Sequence, residues 1–233
     1  MLTTGFSASE MARLSGCLAR LLPHVRAGEI AITGGVAVQL GLAVLDRAGS
    51  RAVITDLDFV ACRLEAVAGT VAGPFLVSHY HVPQPDAPKF MIQLVDPVSR
   101  IRIDIFPDLV DSLSNARTFA IGKQLVNVLD LQSILDHKLL TISKASTRRP
   151  IDPKHYLDAR ALGAIFGREV PAVPADALTE DVYGIEGDLQ CRRCELSLSP
   201  SFPLAPKDQI FALLGWAWEQ TGRRLPPAAA NAS

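Results

Sequence analysis

The chain has 233 residues, and 23 Lys plus Arg against 24 Asp plus Glu leave a net charge of −1. That balance excludes bulk electrostatic attraction to nucleic acid or anionic membrane, so any basic site has to be local. The length suits one large domain, or one domain with a smaller appendage, and no apolar run is long enough to cross a bilayer.

The first residues lack the basic-then-apolar order of a secretory leader. Four cysteines with one close pair are no disulfide framework for a chain this size, so a reducing cytoplasm is the expected setting.

Residues 8–22 predict a first helix. Ser7 followed by Glu10 makes a capping-box pattern, and Leu14, Leu18, Leu21 and Leu22 recur at helical spacing before Pro23 ends the run. A short apolar strand, residues 29–33, leads to Gly34-Gly35, and residues 36–45 read as a buried helix. Two glycines between a strand and a helix let the backbone approach a ligand at the free N–H groups, which suits phosphate; a tight turn is the structural alternative.

Residues 52–60 form the stretch around which the chain is organised. Turn formers precede it, β-branched and apolar residues fill it, and alternation puts Asp56 and Asp58 on one side. Two carboxylates so close repel unless a cation lies between them, and a hard divalent ion such as Mg²⁺ prefers their oxygens. The alternative is a strand end whose aspartates face water.

A short helix is expected over 63–72, then strands at 75–82, 90–95 and 101–106. In the last, Ile101, Ile103 and Ile105 share one face while Arg102 and Asp104 share the other. Asp104 therefore either pairs with Arg102 or joins Asp56 and Asp58 as a third metal ligand. His79 and His81 share a strand face, with metal ligation or a structural role both open.

One more strand is expected at 124–128, then a helix over 131–146 with Asp130 as N-cap. Ile134, Leu135, Leu139 and Ile142 make its buried side, with Lys138 and Lys144 on or near its other faces. The basic loop 147–150, carrying Arg148 and Arg149, leads to a helix opened by Asp152 and Pro153. Leu157, Ala161 and Ile165 would be its apolar stripe. Residues 168–206 are Pro-rich and aperiodic, and Cys191-Arg192-Arg193-Cys194 there lacks a second pair for a zinc site. A last helix is expected over 207–221.

The order of these parts resembles the polymerase-β-type nucleotidyltransferase superfamily: strand, Gly-Gly, helix, strand with Asp-Leu-Asp, then a later strand with a single Asp. The Lys138 helix, the basic loop and Lys154-His155-Tyr156-Leu157-Asp158 look like the AbiEii/AbiGii toxin branch. The resemblance covers residues 29–166. It departs from that branch in placing Arg51 five rather than four residues before Asp56, and in carrying Lys-His where many relatives have Lys-Asp.

The resemblance implies an α+β fold, a mixed sheet packed against helices. Residues 1–128 would be the nucleotidyltransferase core, 129–225 a helical C-terminal region with irregular cover, and 226–233 a disordered tail. It also implies a nucleoside monophosphate moved from a triphosphate to a hydroxyl of RNA, protein or a small molecule. Asp56, Asp58 and Asp104 would hold two Mg²⁺ ions, with Mn²⁺ as substitute. Gly34, Gly35, Thr55, Lys138, Arg148, Arg149 and Lys154 would contact the nucleotide, and Lys138 and Asp158 would join the catalytic set. A tRNA or protein acceptor, an antitoxin partner and no membrane complete that expectation. The rival classes are an inactive nucleotide-binding or interaction module of the same fold, and a haloacid-dehalogenase-type phosphatase built on Asp56-Leu57-Asp58.

Overall fold

The computed structural model describes residues 5–47, 49, 51–85, 89–143, 151–178 and 199–220. The first helix, α1 (Ala8–Leu21), opens as the sequence predicts: the Ser7 hydroxyl accepts from the Glu10 N–H, and Leu14, Leu18 and Leu21 are buried. Strand β1 (Ile30–Ile32) runs into α2 (Gly34–Val44), followed by β2 (Asp56–Ala61), β3 (Leu76–His81), β4 (Met91–Val95) and β5 (Arg102–Pro107). Hairpin strands β6 (Arg117–Ile121) and β7 (Gln124–Val128), then α3 (Leu131–Ile142), α4 (Pro153–Phe166) and α5 (Lys207–Gln220), complete the described elements.

The seven strands make one mixed sheet in the order β3-β4-β5-β2-β1-β7-β6. Strands β2 and β5 are parallel, as are β1 and β7; the other neighbours are antiparallel. Along β2 and β5 the alternation is clean. Leu57 and Phe59 of β2 lie level with Ile103 and Ile105 of β5, all fully buried on one face. Asp56 and Asp58 lie level with Arg102 and Asp104 on the other. The apolar row commits the strands to the core, which leaves the charged row no choice of side.

Three local expectations change. Residues 63–72 form two 3₁₀ turns, Leu64–Ala66 and Gly69–Ala72, because Val67 between them is extended and bridges Val25. Strand β6 has no counterpart among the strands expected from the sequence. It is a sheet edge with four of its five residues at least partly exposed, so it carries little alternation. Gly122 turns it into β7 with φ +61, as a two-residue hairpin requires. On α4 the buried stripe is Asp158, Ala159, Leu162 and Gly163; of the expected Leu157, Ala161 and Ile165, Ile165 packs partly buried against the core, while Leu157 is 62% exposed. The pattern misleads because a carboxylate, not an apolar side chain, leads the inward face.

Helix α3 buries Ile134, Leu135 and Ile142 as expected, but Lys138 is buried with them. Helices α3 and α4 pack on each other, and α2 packs on both β2 and α3. Helix α5 covers the β3–β4 end of the sheet through Ile210 and Leu214 against Val95 and Leu76. Among the described residues no helix is long and apolar enough to cross a membrane. The tail 226–233, Lys144, and the Cys191/Cys194 pair lie outside the described residues.

Candidate active site

The charged face of β2 and β5 is the floor of the site. Asp58 pairs in register with Asp104, and Asp56 with Arg102, on the two central parallel strands. The row continues outward at the same level: Gln93 of β4 lies opposite Asp104, and His79 of β3 opposite Gln93. Gln93 and His79 are both buried. A bulge at Ser78 adjusts the register, and its hydroxyl donates to Gln93 Oε1 at 2.7 Å. His79 and His81 meet ring to ring, with Nε2 and Nδ1 3.0 Å apart.

Each aspartate of the floor has a different environment. Asp56 Oδ2 accepts from Lys154 Nζ at 3.2 Å, so the first turn of α4 reaches across to β2. Burial would raise its pKa, but Lys154, Arg102 and Arg51 together hold it well below the usual carboxylate range. Thr55 lies beside it, Oγ1 3.4 Å from Asp56 Oδ1. Asp104 pairs through Oδ2 with Arg102 at 2.9 Å, while its Oδ1 is buried with no hydrogen-bond partner among the described residues. Asp104 therefore takes the Arg102 partnership and still has one free acceptor. Asp58 forms no ion pair with a described residue. Burial, then the charges of Asp56 and Asp104, push its pKa up to about 7.

The two glycines sit against this floor. Gly34 has φ +64, and a Cβ there would lie 1.9 Å from Asp58 Oδ2. Only glycine allows the N-terminus of α2 to press on that carboxylate. A Cβ on Gly35 would lie 2.1 Å from Arg51 Nη1, so the guanidinium of Arg51 lies over the first turn of α2. Both close approaches are to side chains of the site itself.

A second cluster stands beside the first. Asp158 Oδ2 accepts from Arg51 at 2.6 Å and from Lys138 Nζ at 2.9 Å, and all three side chains are largely buried. Lys138 Nζ also donates to His155 Nδ1 at 3.4 Å. An ammonium has no acceptor, so His155 must present a lone pair at Nδ1 and be neutral. Burial, and then the charges of Lys138 and Lys154, lower its pKa to about 4. Burial also lowers the pKa of Lys138, against the pull of Asp158. Asp158 thus holds Arg51 and Lys138 rather than Lys154. Asp152 caps α4, accepting from the Lys154 N–H at 2.9 Å.

The sequence-predicted residues Gly34, Gly35, Thr55, Asp56, Asp58, Asp104, Lys138, Lys154 and Asp158 are linked through these contacts. Arg148 and Arg149 lie outside the described residues. In the sequence Arg51 and His155 stand out only as departures from a pattern; the distances above make both part of the constellation.

A metal would find one open carboxylate, Asp58, beside one orphaned buried oxygen, Asp104 Oδ1, on the same face. That donor set fits a hard divalent cation. Among the described residues no three His, Cys, Asp or Glu side chains stand close enough together to ligate one ion as they are. The reason is visible: Asp56 is turned to Lys154 and Asp104 Oδ2 to Arg102.

No family model matches the chain, and no curated protein matches it. Among solved structures it is similar to JHP933 from Helicobacter pylori, at 11% identity over 92% of each chain with a TM-score of 0.41. It is also similar to an antigenic nucleotidyltransferase-like protein from Paracoccidioides brasiliensis. There the identity is 15% over 93% of this chain and 91% of that one, with a TM-score of 0.38. Likeness at that level assigns this chain no family.

Proposed function

We propose that the chain is a metal-dependent nucleotidyltransferase that moves a nucleoside monophosphate from a triphosphate to an acceptor hydroxyl. The observation that carries this reading is the Asp58–Asp104 register pair beside Asp56, pressed against the N-terminus of α2 at Gly34. Asp58 and Asp104 Oδ1 would hold Mg²⁺ or Mn²⁺, with Asp56 joining when Lys154 moves to the nucleotide. Divalent ions at such a site neutralise phosphate charge and position the reacting oxygens. Arg51, Lys138 and Lys154 would receive the triphosphate, and Arg148 and Arg149 would add to that charge. Asp158 orients Arg51 and Lys138 for the task. The acceptor would be a hydroxyl of RNA such as a tRNA end, of a protein or of a small molecule, and membership of a toxin branch with an antitoxin partner would rest on the Lys154–Asp158 segment.

The test is incubation with each labelled nucleoside triphosphate, Mg²⁺ and cell extract. Label should enter one macromolecular fraction, and Asp58→Asn or chelation should abolish it. No incorporation from any nucleotide would overturn the reading.

A second reading has its own observation. Asp56, Asp104 and Asp158 are each already paired with Lys154, Arg102, or Arg51 and Lys138, so most of the negative charge is compensated without a metal. An inactive module of the same fold would look like this. It would bind a nucleoside triphosphate without turnover. The phosphatase reading loses support: the Asp-x-Asp stretch lies on the second strand, next to an antiparallel β1.

A further inference from the structure

The capping-box pattern at the start of the chain is only half used for capping. Ser7 caps α1, but the Glu10 carboxylate reaches away from the helix and accepts from the Ile54 N–H through Oε2 at 2.7 Å. Arg13, one turn on, is bound to Glu10 at 2.6 Å. Its Nη2 also donates to the Ile54 carbonyl, and its Nη1 donates to the Ser99 carbonyl at 2.6 Å. Both side chains are about five-sixths buried, at 16% and 15% exposure.

Ile54 stands two residues before Asp56, and Ser99 three before Arg102. The first rung joining their strands is Arg102 N–H to Thr55 O at 3.2 Å, and regular pairing begins at Asp56 with Arg102. The Glu10–Arg13 pair grips both strands just outside that rung. A guanidinium is planar, so its two nitrogens set the separation of the two carbonyls they hold. Farther along the same helix, Arg20 holds Asp96, which binds the Val98 N–H and the Ser99 hydroxyl. Helix α1 thereby fixes the turn that feeds β5.

We infer that Glu10 and Arg13 are positioning residues for the candidate site, clipping the entries of β2 and β5 so that Asp58 stays level with Asp104 and Asp56 with Arg102. This rests on the reading of those aspartates as a metal site. The contacts given above run to the backbone of the two strand entries. They act on the backbone, at the end of the strand pair where Asp56 lies and where fraying would begin.

Arg13→Lys in the full chain separates charge from geometry, since a lysine keeps the pair with Glu10 but cannot span two carbonyls. Mn²⁺ alone is the probe, titrated by water-proton relaxation, with amide exchange measured in parallel on residues 52–58 and on the 117–128 hairpin. The expected result is a Mn²⁺ affinity about tenfold weaker, as loss of a supporting residue behind metal ligands typically gives. Faster exchange should be confined to 52–58. If Arg13→Lys does not fold, Glu10→Gln takes its place, weakening the hold on Arg13 while leaving an acceptor for Ile54. A folded variant that binds Mn²⁺ like the parent overturns the positioning role, whatever its melting temperature. A parent that binds no Mn²⁺ overturns the metal reading and the positioning role together.

Discussion

Asp58 and Asp104 stand level on two parallel strands, and of the two only Asp104 is in an ion pair with a described residue. That asymmetry leaves one open carboxylate next to one orphaned oxygen, and it determines how each part of the site should respond to substitution.

Gly34→Ala should be the most damaging small change. At φ +64 an L-residue costs about 1–2 kcal/mol from backbone strain alone. The added Cβ would also displace the Asp58 carboxylate. Mn²⁺ affinity and nucleotide transfer should both fall at least about tenfold. Gly35→Ala meets only the end of a flexible arginine, so it should fold nearly normally and mainly impair nucleotide affinity. Equal effects of the two on Mn²⁺ binding would contradict the assignment of Gly34 to Asp58.

Lys138→Ala removes one of two cations from a buried aspartate. Transfer should drop by about 10² if Lys138 stabilises charge on the reacting phosphates. Stability should fall too, because Asp158 is left with Arg51 alone. The double variant Lys138→Met, Asp158→Asn should recover part of the stability and none of the transfer. Parental turnover by a folded Lys138→Ala protein would remove Lys138 from the reaction.

The pH dependence of stability follows from His155. Its folded pKa, about 4, lies below the ordinary value near 6.5. Between those values the unfolded chain binds more protons than the folded one. The neutral ring's contribution is therefore present above about pH 6.5 and lost as pH falls toward 4. His155→Gln should flatten the pH dependence of the unfolding free energy across that window by about 1–2 kcal/mol, allowing for partial solvent access. Parallel profiles for parent and variant would show that the ring is not held neutral.

Much of the floor was legible because a two-residue period in an apolar strand has only two faces. Leu57, Phe59, Ile103 and Ile105 had to be inside, so Asp56, Asp58 and Asp104 had to share the other side. What could not be read was pairing across long separations. Nothing local to Arg51 says that it reaches Asp158, and nothing local to Glu10 says that it serves Ile54 rather than its own helix. The periodicity puts Lys138 only on or near the faces beside the apolar stripe; its burial depends on Asp158, 20 residues away. The sheet order, with β2 between β1 and β5, likewise comes from contacts that no window of sequence contains.

Arg102 supplies the last test, because it should affect stability and metal binding with opposite signs. In the structure it holds Asp104 Oδ2 and helps keep Asp56 ionised. It is therefore a resident cation at the place where a divalent ion would act. Without metal, Arg102→Met leaves Asp104 buried beside Asp58 without its ion-pair partner, and the protein should lose about 2–4 kcal/mol of stability. With metal, the same variant offers both oxygens of Asp104 and no competing positive charge. Mn²⁺ should then bind more tightly than to the parent, by about tenfold for a single unit charge removed near the site. Chemical denaturation with and without saturating Mn²⁺ reads both effects on one sample. The metal-dependent gain in stability should be larger in Arg102→Met than in the parent. If Arg102→Met is less stable and also binds Mn²⁺ more weakly, Arg102 holds the carboxylates in their metal-binding positions instead of competing for them.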